Sequence, residues 1–179
     1  RPDARQTVAT LQRSGIKVCL LSGDGAQAAG RVAAQVGITE FQGLCSPLEK
    51  LEFLRLAQQR GHRVAVVGDG LNDGPVLAGA HISFAFGRAA PLAQAQADFV
   101  VLGDQIGAVA TSFQVARRTL RVVRQNLWWA GAYNAVCVPL AVAGWLPAWL
   151  AGLGMALSSL MVVLNALRLA RMAAQPKEG

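Results

Sequence analysis

From Gln125 to Leu167 the chain has no charged residue, a run of 43 positions, and no acidic residue lies between Asp104 and Glu178. A bilayer helix needs roughly 20 apolar residues, so the run is long enough for two spans, the alternative being one buried helical hairpin of a soluble protein. Cysteine is scarce. Cys19, Cys45 and Cys137 show no CxxC spacing and do not suggest a disulfide framework. The chain lacks a starting Met, a signal-peptide pattern, an internal repeat and a low-complexity linker. It opens abruptly inside a helix-like segment and is expected to be a piece of a longer polypeptide.

The charge that is present is unevenly spread. Residues 1–105 carry ten Lys/Arg against nine Asp/Glu, whereas residues 106–179 carry seven against one. A net charge of +7 would ordinarily raise nucleic acid as a partner. Here Arg117, Arg118, Arg121 and Arg124 precede the apolar run, and Arg168, Arg171 and Lys177 follow it. That is the asymmetry of a membrane hairpin with both ends cytoplasmic, and nucleic acid is not expected.

Ahead of the run, short apolar stretches alternate with helical patterns, the sign of parallel strands joined by helical crossovers. A helix through Val8, Leu11 and Ile16 should lead into a strand Val18–Leu21 that ends at Ser22-Gly23-Asp24. A helix over 26–36 and a short strand near Phe41 should follow. Ser46-Pro47-Leu48-Glu49 reads as a capped helix start, with Glu49 at the capping-box position, and its helix should reach about Arg60. A buried strand Arg63–Val67 should then empty into Gly68-Asp69-Gly70-Leu71-Asn72-Asp73-Gly74-Pro75. A short helix through Leu77 and strands at 82–86 and 99–102 close the first part. The apolar run breaks at Gly144-Trp145-Leu146-Pro147, and Trp128, Trp129, Trp145 and Trp149 fall where indole rings favour the membrane interface.

Two strand ends carry the chemistry, because open parallel sheets bind ligands beyond the carboxyl ends of their strands. Phosphoryl transfer needs a cation and hydrogen-bond donors held around the moving group. Asp69 and Asp73, with Asn72 between them, offer the hard oxygens that Mg²⁺ prefers. Ser22 and the amide of Gly23 can donate to phosphoryl oxygens, and Lys50 can neutralise their charge. Singly, these residues are also ordinary turn formers and solvated charges. Together, SGD at 22–24, the lysine of SPLEK and GDGLNDGP at 68–75 resemble the haloacid-dehalogenase superfamily, and within it the P-type ATPases. SGD stands for the family's TGD, with the hydroxyl kept, and GDGLNDGP fits its GDGxNDxP hinge motif.

That resemblance implies an α/β, Rossmann-like haloacid-dehalogenase portion of a phosphorylation domain, followed by a transmembrane helical hairpin. It implies that Asp69 and Asp73 hold Mg²⁺ with Asn72 organising the site, that Ser22, Gly23 and Lys50 hold the phosphoryl group, and that Asp24 helps the nucleotide domain close. No DKTGT nucleophile occurs among these residues. ATP hydrolysis by this stretch alone is therefore not expected.

In the apolar part, polar groups are costly enough to mark function. Tyr133-Asn134 lies in the first half. Met155 and Ser159, at i and i+4, share a helix face in the second. A thioether suits Cu(I), with Asn and Ser oxygens completing a transient site. Small polar residues and methionines also simply pack membrane helices. YN followed by MxxSS resembles the copper-transporting heavy-metal ATPases, the type IB group, which makes Tyr133, Asn134, Met155 and Ser159 the implied ion ligands. The tight turn and the ending SSLMVVLNALRLAR resemble the FixI or CcoI subgroup that serves cytochrome oxidase assembly.

The expected organisation is residues 1–105 as the phosphorylation-domain part, 106–124 as a basic cytoplasmic helix, 125–144 and 148–168 as spans, and 169–179 as a cytoplasmic tail. The implied activity is Cu(I) export from the cytoplasm across a bacterial inner membrane, driven by ATP with Mg²⁺ through an aspartyl phosphate. Implied partners are membrane lipid, the rest of the same pump, and a copper chaperone or oxidase assembly factors. Ag(I) or a divalent heavy metal is the alternative cargo. A membrane-anchored phosphatase of the same superfamily and a noncatalytic remnant are the alternative functions. Asn165 is expected to bond a neighbouring helix, and His62 and His81 to be structural.

Overall fold

A computed structural model describes residues 1–68, 71–87 and 91–173. They divide into two compact units, Arg1–Ser112 and Phe113–Gly179. In the first unit α1 (Ala4–Arg13), β1 (Cys19–Leu21), α2 (Ala26–Val36), β2 (Glu40–Gln42), α3 (Pro47–Gln59) and β3 (Ala65–Gly68) alternate. A 3₁₀ turn at Leu71–Asp73 then leads into α4 (Gly74–Gly79), β4 (Ile82–Phe86), α5 (Pro91–Gln96) and β5 (Phe99–Val101). All pairings are parallel, so every connection is a crossover, as the alternation of strand and helix patterns requires.

The strands form two hydrogen-bonded groups, β1-β2 and β3-β4-β5. Cys19 pairs with Glu40 and Leu21 with Gln42; Ala65 pairs with Ile82, and Phe84 with Phe99. The core gathers Leu77 and Ala85, at most 1 % exposed, with Val66 and Ala97 packed against them. Phe84 and Phe99 stack at 5.2 Å between centroids. Asp98 ties the start of β5 to β4: its carboxylate accepts the Ser83 amide at 2.8 Å and the Ser83 hydroxyl at 2.9 Å.

Two expectations are corrected and one helix is new. α1 stops at Arg13 rather than reaching Ile16, because Gly15 turns the chain at φ +76° while Ile16 N–H closes back on Leu11 O at 3.0 Å. The strand expected to be buried, β3, leaves Ala65 exposed and Val67 40 % exposed, since among the described residues it is laddered on one side only. α5 was not expected; Pro91 at its first position is its main signal.

α6 (Gly107–Val142) begins in the first unit and continues into the second, where a turn at 143–147 leads to α7 (Ala148–Ala173). The second unit is an antiparallel hairpin. Asn165 Nδ2 donates to Asn126 Oδ1 at 2.8 Å, Trp129 Nε1 to Ser158 Oγ at 3.1 Å, and the Tyr133 hydroxyl to Ala151 O at 3.3 Å. Asn165 thus bonds the neighbouring helix, as its position suggested. Among the described residues one stretch, Ala148–Leu169, is helical, long and apolar enough to cross a membrane, and none of its most apolar part is buried. α6 falls short because Gln125, Asn126 and Asn134 interrupt its apolar half.

Candidate phosphoryl-transfer site and metal path

β1 hands over to the Ser22-Gly23-Asp24 loop, and backbone bonds pin that loop to the segment after β2. Ser22 N–H reaches Gln42 O at 2.9 Å, Leu44 N–H reaches Asp24 O at 2.7 Å, and Cys45 N–H reaches Ser22 O at 2.9 Å. Gly43 lies against the same loop so closely that a Cβ there would sit 2.6 Å from Ala26 Cα and 3.0 Å from Asp24 O. Leu44 adopts φ +56°, a conformation that non-glycine residues rarely take and that such close anchoring can hold.

The pinned segment runs directly into α3. Ser46 Oγ accepts the Glu49 amide at 3.2 Å while Glu49 accepts the Ser46 amide at 2.7 Å, completing the expected capping box. The Ser46 backbone N–H, and then its side chain, hold the Glu49 carboxyl below the usual glutamate range. Lys50 follows within the first turn, and its ammonium donates to Asp73 Oδ1 at 2.8 Å. Both side chains are largely covered, at 17 % and 18 % exposed. Asp73 closes the 3₁₀ turn beyond β3, where a Cβ on Gly68 would stand 3.0 to 3.3 Å from its side chain. Glycine at 68 is therefore what lets strand and carboxylate approach.

The structure thus brings Lys50 and Asp73 into contact and fastens the Ser22 loop to the segment that carries Lys50. Ser22 and Asp24 are paired with each other: the Ser22 hydroxyl donates to Asp24 Oδ2 at 3.1 Å and accepts the Asp24 amide at 3.2 Å. Among the described residues no hydrogen bond joins Ser22, Gly23 or Asp24 to Lys50. Asn72 is exposed. Asp69 and Gly70 lie outside the described residues. Among those described, no three His, Cys, Asp or Glu side chains cluster as a metal site. Asp73 and Asn72, offering oxygen only, fit a hard cation held by few protein ligands and completed by water and phosphate, as Mg²⁺ commonly is.

Gln96 of α5 packs on Gly74, where a Cβ would meet its Oε1 at 2.7 Å. Glycine at 74 is the sequence signal for that approach, and it stands inside the motif.

In the hairpin, Tyr133 faces α7, where a Cβ on Gly154 would lie 2.7 Å from its hydroxyl. Asn134, Met155 and Ser159 are exposed, and Ser158, half-buried, bonds Trp129. Among the described residues no hydrogen bond links any two of Tyr133, Asn134, Met155 and Ser159. Met155 and Ser159 share a face of α7 one turn apart.

The parallel α/β unit, its glycine-bounded acidic loop and its lysine define the haloacid dehalogenase-like class. Family models described as haloacid dehalogenase-like hydrolase match residues 1–81 and 51–113. The chain is 41 % identical over 175 residues to the cation-transporting P-type ATPase B of Mycobacterium tuberculosis, covering 98 % of this chain and 23 % of that protein. It is 42 % identical to a copper-exporting P-type ATPase of Staphylococcus epidermidis, covering 95 % and 21 %. It is 40 % identical to the nitrogen fixation protein FixI of Rhizobium meliloti, covering 96 % and 23 %. The crystal structure of a zinc-transporting PIB-type ATPase in its E2.Pi state matches 94 % of this chain and 28 % of its own, at 30 % identity and a TM-score of 0.86. The chain belongs to the heavy-metal P-type ATPases. It spans less than a quarter of the length of the curated relatives described here.

Proposed function

We propose that this chain supplies the phosphoryl-holding loops and the last membrane hairpin of an ATP-driven Cu(I) exporter of a bacterial inner membrane. The observation that carries the phosphoryl-transfer reading is the covered Lys50–Asp73 pair beyond β3. An ammonium has three donors and Asp73 takes one, leaving two for phosphoryl oxygens. The Ser22 hydroxyl turns from Asp24 to the phosphoryl group when one is bound, and the Gly23 amide donates beside it. Asp69 and Asp73 would hold Mg²⁺, with Asn72 organising the site, and the cation would neutralise phosphoryl charge there. Asp24 meets the nucleotide-carrying part of the pump. The aspartyl phosphate forms on an aspartate supplied from outside these residues, so the chain alone neither hydrolyses ATP nor transports.

For the cargo, the soft thioether of Met155 next to Ser159, with Tyr133 and Asn134 on the facing helix, supports Cu(I) over a hard divalent ion. The 42 % likeness to a copper exporter points the same way. Both spans, 125–144 and 148–168, cross the bilayer in this reading, with the first unit cytoplasmic where ATP is. A place in oxidase assembly rests on the resemblance of the turn and the ending SSLMVVLNALRLAR to the FixI or CcoI subgroup, and the 40 % identity to a protein named FixI is in keeping with that subgroup. Identity that extends across both units at 41 % over 175 residues favours a pump over an anchored phosphatase. The test is uptake of radiolabelled Cu(I), Ag(I) and Zn²⁺ into inverted vesicles bearing the full-length polypeptide. Cu(I) uptake that Met155→Ala lowers at least tenfold is expected; Zn²⁺ uptake with Met155→Ala unaffected would reverse the cargo assignment.

A further inference from the structure

Arg117, Arg121 and Arg124 stand at i, i+4 and i+7 on α6, with Trp128 one further turn along, so all four share one helix face. With Leu120 and Trp129 they border a surface groove of about 840 Å³. Trp128 is 80 % exposed. The three guanidinium groups make no hydrogen bond or ion pair among the described residues, and no acidic residue occurs from 105 to 177 to provide one. Each presents a fork of donors that matches phosphate oxygens in pairs.

The geometry points to a binding site for anionic phospholipid headgroups, with the phosphate on Arg121 and Arg124 and the glycerol end against Trp128. This inference rests on the membrane reading above. Arg124 and Trp128 are about 6 Å apart along the helix, close to the depth of a headgroup layer between water and hydrocarbon. The stripe thus places charge at phosphate level and indole at the boundary below it, the arrangement that favours anionic lipid on a cytoplasmic face. Arg118 carries the same charge but lies about 100° round the helix from Arg117. It separates a built site from diffuse attraction.

The test reconstitutes the full-length polypeptide in phosphatidylcholine bilayers and measures association of spin-labelled phosphatidylglycerol relative to spin-labelled phosphatidylcholine. The triple change Arg117→Gln, Arg121→Gln and Arg124→Gln is expected to lower the preference for phosphatidylglycerol about fivefold or more. The matching triple change to Lys, which keeps the charge and loses the paired donors, should lower it by less than the Gln triple but measurably. Arg121→Gln should weaken it more than Arg118→Gln. A preference unchanged by the triple Gln substitution, or lowered equally by Arg118→Gln and Arg121→Gln, overturns the site while leaving the membrane reading intact. Failure of the wild-type polypeptide to float with bilayers overturns both.

Discussion

Removing either member of the Lys50–Asp73 pair should destabilise the first unit by about 2 kcal/mol. At 2.8 Å and an effective dielectric of about 20 the gross attraction is about 6 kcal/mol, most of which desolvation cancels. Exposed pairs contribute at most about 1 kcal/mol, and breaking a fully buried pair costs about 3–5 kcal/mol. With side chains 17 % and 18 % exposed, this pair sits between those limits. Asp73 has interactions beyond Lys50, so Asp73→Ala should cost at least as much as Lys50→Ala. The assay is urea unfolding of the chain in detergent, followed by protease protection of residues 1–112, for both single variants and the double. The midpoint should fall by about 1 M for Lys50→Ala, and the double variant should lose about 1–2 kcal/mol less than the sum of the singles. Strict additivity would show that the contact does not couple the segment after β2 to the hinge loop, and would refute the account of how the site is assembled.

Gly43→Ala should cost about 2–3 kcal/mol, because its Cβ would overlap the Ala26 backbone, which cannot move aside like a flexible side chain; the same unfolding assay reads this. Acid should weaken the first unit. The carboxyls of Glu40, held down chiefly by the Lys17 side chain, and Glu49, held down chiefly by the Ser46 amide, both ionise below the usual glutamate range. Their stabilisation is complete above the ordinary value of 4.5 and is lost as pH falls through their lower folded values, so urea midpoints should drop in that window and Glu49→Gln should flatten the drop. Asn165→Leu, which removes the 2.8 Å bond to Asn126, should weaken hairpin association by about 0.5–1.5 kcal/mol in a detergent unfolding series.

Local rules account for what was legible in the residues. Ser46 and Glu49 mark the start of α3 because capping is decided within four residues, and Gly68 marks a close approach because a Cβ there would crowd the Asp73 side chain. The strand-helix alternation gave the parallel topology because parallel strands need crossovers. What was not legible depends on distant partners. The exposure of β3 follows from which strands flank it, and nothing in Ala65–Gly68 encodes that. The Asp98 clasp on Ser83 joins residues 15 positions apart with no spacing rule between them. α5 was overlooked because PLAQAQ has small, weakly patterned side chains. In the hairpin, Tyr133 and Asn134 adjoin in sequence, yet successive helix positions point about 100° apart, so only Tyr133 packs on α7.

The most direct test of the central claim is acid-stable phosphorylation by radiolabelled ATP, measured with and without Cu(I), in the full-length polypeptide and in the 179-residue chain alone. The account predicts a Cu(I)-dependent, hydroxylamine-sensitive phosphoenzyme in the full-length protein, its loss on Asp73→Ala, and no label on the 179-residue chain. Label on the chain alone, or Cu(I)-independent label that persists in Asp73→Ala, would contradict it.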